Sequence, residues 1–171
     1  MNQNYLFLDF DGVLNTEKYQ KELTLTGGQR ADKYGPLFDP EAVDWLVEII
    51  NRTGARICLI SSWGCEGEEK MRQLWKDRKM PGNLFAVCCN TPIGLDEIDL
   101  SCGEPTLEMM IGKGRDIKSF LSSAESPYNY VILDDVPDFF SEQMKHYIQV
   151  NPNIGIDENV ATMAIDILSS T

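Results

Sequence analysis

Residues 5–12 of the chain read YLFLDFDG, a nearly continuous apolar run that ends in two acidic residues and a glycine. A run of this kind predicts a strand that is buried on both faces, as the strands of a parallel sheet are. Further apolar runs predict strands at 56–61 (RICLIS), 84–89 (LFAVCC), 130–135 (YVILDD) and 146–150 (HYIQV). The sheet is therefore expected to be mainly parallel.

Helical signals lie between these strands. Asp39 is suited to a helix N-cap, Pro40 to the first helical position and Gly54 to the left-handed residue after the last turn, so they predict a helix across 39–54. Further helices are predicted at about 66–78, from 112–115 onwards, and after Asp157. The alternation of strands and helices predicts a doubly wound, Rossmann-like α/β fold.

The length of 171 residues suits one compact domain, and we expect residues 1–171 to form it. Residues 12–38 depart from the alternation because they are polar and have no strong period. We interpret this segment as a small insertion or flap over the functional site, in which LTLTGGQR at 23–30 forms a hairpin.

The composition narrows the possible partners. The formal net charge is −12, which opposes an extended nucleic-acid interface but allows a small phosphorylated ligand or one nucleic-acid end. No apolar run approaches the roughly 20 residues that span a bilayer, and the N-terminal residues lack the basic region of a signal peptide. We expect a cytoplasmic protein without a membrane segment, and the sequence predicts no particular oligomeric state.

Polar side chains are predicted where the strands end. In open α/β sheets, ligands bind in the crevice at the carboxyl ends of the strands. The residues expected at this edge are Asp9, Asp11, Ser61, Ser62, Asp134 and Asp135, with Asp138 in the next turn and Lys113 at the start of a helix. Lys118 is the alternative to Lys113 as the lysine of this edge, but it falls in the middle of the predicted helix.

Four segments together resemble a known family. LDFDGVLN at 8–15, ICLIS at 57–61, Lys113, and ILDDVPD at 132–138 resemble, in order, the motifs of the haloacid dehalogenase (HAD) superfamily. The resemblance covers nearly the whole chain and implies a HAD-like fold. The interval between the first two motifs is about 50 residues, and the helix across 39–54 takes up part of it, so no large cap domain is expected. Within the superfamily the chain looks most like the small phosphatase domains associated with RNA-repair proteins.

The resemblance implies a role for each of these residues. Asp9 would be the nucleophile that forms an aspartyl-phosphate, and Asp11 would act as general acid and then as general base. Ser61 and Lys113 would hold the phosphate oxygens. Gly12 and Ser62 are further substrate-binding candidates.

A magnesium ion is also implied. Asp9, the backbone carbonyl of Asp11 and Asp135 would supply its oxygen ligands, as Mg²⁺ prefers. Asp134 and Asp138 are two further metal-ligand candidates. As alternatives, Asp134 orients Lys113, and Asp138 caps a helix in the segment DFFSEQ.

The resemblance thus implies a Mg²⁺-dependent phosphatase acting on phosphate monoesters, with nucleotides or nucleic-acid terminal phosphates as leading substrates. Two alternatives stay open: a non-catalytic regulatory module that binds phosphate or Mg²⁺, and a phosphotransferase on small metabolites. Specificity is expected to reside in the flap residues Tyr19, Arg30, Lys33 and Tyr34. Trp63, directly after the second motif, either packs in the core or forms a wall of the pocket.

Overall fold

The computed structural model describes residues 3–88 and 112–170, and a parallel sheet lies at the centre of this part of the chain. The sheet contains β1 (Gln3–Leu8), β4 (Arg56–Leu59), β5 (Leu84–Val87), β6 (Tyr128–Asp134) and β7 (Tyr147–Gln149). Two short strands, β2 (Ala31–Asp32) and β3 (Gly35–Pro36), form a separate antiparallel hairpin. The strand order in the large sheet is β5-β4-β1-β6-β7, and each neighbouring pair is parallel.

Helices flank the sheet on both faces. They are α1 (Glu17–Thr26), α2 (Pro40–Thr53), α3 (Glu68–Asp77), α4 (Gly112–Ser123) and α5 (Glu158–Ser169), with short 3₁₀ helices at Ser62–Glu66 and Met144–His146. The predicted α/β, mainly parallel, Rossmann-like arrangement is confirmed. No large cap is found in residues 3–88 and 112–170.

The strand β1 is buried on both faces, as its apolar run predicts. Leu6 and Leu8 belong to the core cluster that includes residues of α2, α3 and α5. Tyr5 and Phe7 point to the opposite face, where they pack with Ile117 of α4. Alternate side chains of one strand therefore join two cores, which places β1 at the centre of the sheet.

The helix α2 begins and ends at the residues that the sequence indicates. The Asp39 carboxylate accepts a hydrogen bond from the backbone N–H of Glu41 at 3.0 Å, and Pro40 is the first helical residue. Gly54 follows with a φ of 61° and donates its N–H to the carbonyl of Ile50. Likewise, the Asp157 side chain caps α5.

The segment LTLTGGQR does not form the predicted hairpin, and its first half is the end of α1. Thr16 caps this helix by accepting the N–H of Tyr19, and Gly27 ends it with a φ of 69°. None of the helical residues is buried, so no apolar face marks the helix in the sequence. The hairpin of this region is instead β2–β3, in the polar residues that follow.

The segment DFFSEQ is also not helical. Residues 138–143 contain one bend and a turn that leads into the short helix Met144–His146. Asp138 therefore does not cap a helix of its own, contrary to that alternative. Separately, no helix in the described ranges is both long and apolar enough to cross a membrane.

Candidate active site

The carboxyl ends of three adjacent strands bring acidic and hydroxyl side chains to one edge of the sheet. Asp9 directly follows β1, Asp134 is the last residue of β6, and Ser61 lies just beyond β4. All three are buried: Asp9 is 4% exposed, Asp134 0% and Ser61 1%. Buried polar groups of this kind need partners, because an unpaired charge in the interior is costly.

Lys113 supplies the partner for two of these acids. Its Nζ lies 2.6 Å from Oδ2 of Asp9 and 2.6 Å from Oδ2 of Asp134. The alternative lysine, Lys118, is directed elsewhere, with its Nζ 5.1 Å from the centre of the Phe140 ring. The start of α4 thus brings one ammonium group between the acids that end β1 and β6.

The electrostatics of this cluster are strongly coupled. Burial, with a smaller contribution from the charge of Asp9, raises the pKa of Asp134 to about 6 although Lys113 opposes the shift. Burial alone would lower the pKa of Lys113, but the negative charges of Asp9 and Asp134 outweigh it and raise the pKa above that of a free lysine. The lysine is therefore a cation at neutral pH.

The same two acids, together with Asp135, form a group of carboxylates that could hold a metal ion. Asp9, Asp134 and Asp135 each offer an oxygen, and these atoms lie within 4.8 Å of one another. Gly12 makes room for this arrangement: a Cβ there would lie 2.8 Å from Cγ and from Oδ2 of Asp135. The backbone φ of Gly12 is +70°, a conformation that favours glycine. Three hard oxygen donors this close together fit a divalent cation such as Mg²⁺.

Asp11 is exposed to solvent, unlike the buried Asp9 and Asp134. Its Oδ1 accepts a hydrogen bond from Nδ2 of Asn15 at 2.5 Å, and its Oδ2 accepts one from the indole Nε1 of Trp63 at 2.9 Å. The pKa of Asp11 is raised, chiefly because protein atoms displace water from part of the carboxylate and also because of the charges of Asp9 and Asp135. The Trp63 and Asn15 hydrogen bonds oppose that shift.

Of the two serines, only Ser61 is buried. It caps the 3₁₀ helix Ser62–Glu66, where its Oγ accepts the N–H of Trp63 at 3.5 Å. Ser62, the next residue, is exposed. Both serines stay predictions as phosphate contacts.

Asp138 occupies the N-terminal end of α4 rather than the acidic cluster. Its Oδ2 accepts the backbone N–H of Lys113 at 3.4 Å, and its carbonyl accepts that of Gly114 at 3.1 Å. Within the described residues, Asp138 is not part of the group of acids that could hold a metal. Its contacts instead support the helix turn that carries Lys113.

Two flap residues expected to set specificity are bound to α3. Lys33 pairs with Asp77 at 2.8 Å, and the hydroxyl of Tyr34 donates to the same carboxylate at 2.6 Å. These two contacts keep the pKa of Asp77 well below its usual range. Tyr19 and Arg30 remain predictions as substrate contacts.

Two residues contact the site that the sequence does not assign to it. Asn15 follows Asp11 by four residues in a tight loop, where Asn side chains commonly bond nearby groups. For Trp63 the sequence allows either the core or the pocket wall. The structure shows it half-buried, with its indole N–H on Asp11.

Comparison with known proteins identifies the family. The profile described as the HAD domain in Swiss Army Knife RNA repair proteins matches residues 5–161. No curated protein matches the chain. The profile covers both strands that deliver the acids and the helix that carries Lys113, and its family is one of HAD-type hydrolases and phosphatases. The chain belongs to the haloacid dehalogenase superfamily, in the family of HAD domains associated with RNA repair.

Proposed function

We propose that this protein is a Mg²⁺-dependent phosphatase that hydrolyses phosphate monoesters through an aspartyl-phosphate on Asp9. The observation that carries the proposal is the meeting of Asp9, Asp134 and Asp135 within 4.8 Å beside the ammonium of Lys113. Separate strands contribute these acids, so their convergence is a property of the fold rather than of one acidic loop.

The charge of the site explains why a cation is needed. This cluster holds three carboxylates, and the ammonium of Lys113 is paired with two of them, Asp9 and Asp134. A phosphate dianion would be repelled by about 4 kcal/mol for each pair of like charges 4 Å apart at an effective dielectric constant of about 20. When bound, Mg²⁺ would neutralise this repulsion and polarise the phosphoryl oxygens. Asp9, Asp135 and the backbone carbonyl of Asp11 are the proposed ligands.

Asp9 is the proposed nucleophile because it is buried and held on both oxygens. Oδ1 accepts the backbone N–H of Phe10 at 2.7 Å, and Oδ2 accepts from Lys113. These bonds restrict the carboxylate to one orientation, which favours attack on phosphorus. In the first step a bond forms from Asp9 to phosphorus while the bond from phosphorus to the leaving oxygen breaks.

The remaining residues handle protons and charge. Asp11, with its raised pKa, gives a proton to the leaving oxygen and then takes one from the water that attacks the aspartyl-phosphate. That attack releases inorganic phosphate and restores the Asp9 carboxylate. Lys113 and Ser61 stabilise the negative charge on the phosphoryl oxygens. Asp134 keeps Lys113 directed toward Asp9.

The proposed substrates are terminal phosphates of nucleotides or of RNA. The family to which the chain belongs is named for RNA repair proteins, which supports a nucleic-acid end as the substrate class. The net charge of −12 opposes contact with a long polyanion, so a single terminal nucleotide is the expected contact. Asp11 is exposed, which is compatible with a bulky leaving group.

A substrate screen tests the proposal. The purified protein is incubated with 3′- and 5′-phosphorylated RNA oligonucleotides, nucleotides, sugar phosphates and p-nitrophenyl phosphate, with Mg²⁺ or with EDTA. We expect Mg²⁺-dependent phosphate release that falls by at least about 10³-fold in Asp9→Asn, because the nucleophile is lost. The matched control is Asp44→Asn, which makes the same change at an exposed position of α2 and should leave the rate unchanged.

The same experiment separates the two alternatives. Phosphate or Mg²⁺ binding without turnover of any substrate would indicate a regulatory module. Transfer of the phosphoryl group to added glycerol in preference to water would indicate a phosphotransferase. Full turnover by Asp9→Asn would contradict the proposed nucleophile.

A further inference from the structure

Trp63 joins the exposed acid of the site to the β2–β3 hairpin. Its indole N–H donates to Oδ2 of Asp11 at 2.9 Å. The far edge of the ring lies so close to Gly35 that a Cβ on this glycine would be 2.8 Å from Cη2. The indole therefore fills the space between the Asp11 carboxylate and the hairpin.

Aromatic and charged neighbours hold the indole in place. Phe10 meets the ring edge-on with centroids 5.6 Å apart, and Phe38 lies 6.1 Å away. The guanidinium of Arg78 lies 4.2 Å over Phe38 and 5.7 Å from the Trp63 ring. Such contacts from separate segments leave the ring little rotational freedom.

Arg78 also ties this group to the hairpin. It pairs with Asp32 at 2.8 Å and donates to the carbonyl of Gly35 at 3.1 Å, and its side chain is only 8% exposed. An ion pair this well buried and with two parallel contacts is more rigid than a surface pair. The support of Trp63 thus extends from the end of α3 to the flap.

The chemistry of the indole suits an acid that must give up its proton. An indole is a donor without an acceptor, so it holds a carboxyl oxygen without accepting the proton of that carboxyl group. Asn15 restrains the other oxygen, but it lies in the same loop, only four residues from Asp11. Trp63 is therefore the side chain that links the Asp11 carboxylate to a segment outside this loop.

We propose that Trp63 is a positioning residue for phosphoryl transfer, which holds Asp11 so that its proton is directed at the leaving oxygen. The inference rests on the proposed function of the site and adds a residue to it. Trp63 does not touch the reacting atoms and acts through Asp11. Misplacing a catalytic group by about 1 Å can cost 10²-fold in rate, so this support has a measurable effect.

The leaving group of the substrate provides a specific readout. Trp63→Phe keeps an aromatic ring but removes the N–H donor. We expect kcat/KM for phenyl phosphate, whose leaving group needs protonation, to fall by about 10- to 100-fold. The fall for p-nitrophenyl phosphate should be much smaller because its leaving group departs without a proton. Inhibition by inorganic phosphate, which has no leaving group, should be unchanged.

Trp75→Phe is the matched control. Trp75 also stacks on Phe10, at 6.1 Å, and its indole donates to the carbonyl of Pro81 at 3.0 Å. The substitution removes an indole hydrogen bond of similar length near the same ring, but not one to Asp11. We expect the ratio of the two kcat/KM values to match that of the unchanged protein.

A spectroscopic measurement tests the hydrogen bond without any activity. The chain has three tryptophans, so ¹⁵N-labelled protein should give three indole N–H resonances. Single Trp→Phe variants assign them, and any two of the three variants suffice. Asp11→Ala should shift the Trp63 resonance and leave those of Trp45 and Trp75 in place.

The outcomes separate this inference from the proposed function. An active protein in which Trp63→Phe lowers kcat/KM equally for both substrates, or not at all, would overturn the inference and leave the phosphatase standing. An unchanged Trp63 resonance in Asp11→Ala would also overturn it. Absence of Mg²⁺-dependent hydrolysis in the unchanged protein would instead contradict the proposed function, whatever the resonances show.

Discussion

Replacing Gly12 by alanine should weaken metal binding more than it weakens the fold. A Cβ at this position would lie 2.8 Å from Cγ and Oδ2 of Asp135 and 3.0 Å from Cβ of Pro152. Ordinary contacts begin at 3.4 Å, so the Asp135 carboxylate must retreat by about 0.6 Å. Mg²⁺ requires near-ideal octahedral geometry with oxygens at about 2.0–2.1 Å, so a shift of this size disturbs a ligand.

Two effects contribute to the result and can be calculated separately. Alanine in the left-handed conformation costs about 1 kcal/mol, which lowers the melting temperature by about 2–4 °C in a domain of this size. Loss of the support for a metal ligand typically lowers metal affinity by about 10- to 100-fold, or roughly 1.4–2.8 kcal/mol. The affinity effect is therefore expected to be at least as large as the stability effect.

Gly27→Ala isolates the first effect. Gly27 has a φ of +69°, almost the same as the +70° of Gly12, but nothing lies within 4 Å of its Cβ position. Both variants should lose similar stability in EDTA. Melting temperature and phosphatase rate are then measured against Mg²⁺ concentration, since a ligand that binds only the folded state raises the melting temperature. Only Gly12→Ala should need about 10- to 100-fold more Mg²⁺.

The comparison gives a clear negative result as well. If both variants respond to Mg²⁺ as the unchanged protein does, the position of the Asp135 carboxylate beside Gly12 is irrelevant to the metal. The assignment of Asp135 as a ligand of the metal would then be wrong. If both variants lose Mg²⁺ affinity equally, backbone strain rather than the contact with Asp135 is the cause.

Two further predictions concern stability. Thr16→Val removes the α1 cap and the buried hydrogen bond from Oγ1 to Oδ2 of Asp39 at 2.7 Å, so the free energy of unfolding measured in urea should fall by roughly 2–4 kcal/mol. The control Thr24→Val, at an exposed position, should lower it by less than about 0.5 kcal/mol. Equal losses in the two variants would contradict the role of the bond. Burial, aided by Lys145, lowers the pKa of His146, so protons bind the unfolded chain more readily. The contribution of His146 to the free energy of unfolding should therefore increase as pH rises toward about 6.5 and stay constant at higher pH. An identical pH dependence in His146→Phe would refute this.

The central elements of the fold are predictable because their signals are local. The apolar run at β1 and the cap residues Asp39 and Gly54 each specify a conformation through neighbours a few residues away. The helix α1 also has a capping residue at each end, but none of its residues is buried, so no apolar period connects the two caps. Its start is also held by the backbone N–H groups of Glu17 and Lys18, which donate to the carbonyls of Pro152 and Asn153. These partners are far away in sequence, and the alternation in LTLT favoured the wrong element.

The acids of the site are predictable for a topological reason. The carboxyl ends of parallel strands share one edge, so Asp9 and Asp134 must approach once their strands are recognised as neighbours. The residue that connects them is harder to choose, since Lys113 and Lys118 both lie on α4. The distances of 2.6 Å from Lys113 to the two acids come from the packing of this helix, which no local pattern encodes.

The orientation of Asp11 depends on a different kind of information. Trp63 is 52 residues away in sequence and reaches Asp11 only because the chain turns into a 3₁₀ helix directly after Ser61. A strand that continued through this point, or an α-helix that began there, would direct the indole elsewhere, because side-chain direction follows backbone geometry. Arg78 and Gly35 then limit where the ring can lie. The strand ends thus determine which acids meet, whereas long-range packing around one aromatic ring determines how the exposed acid faces the substrate.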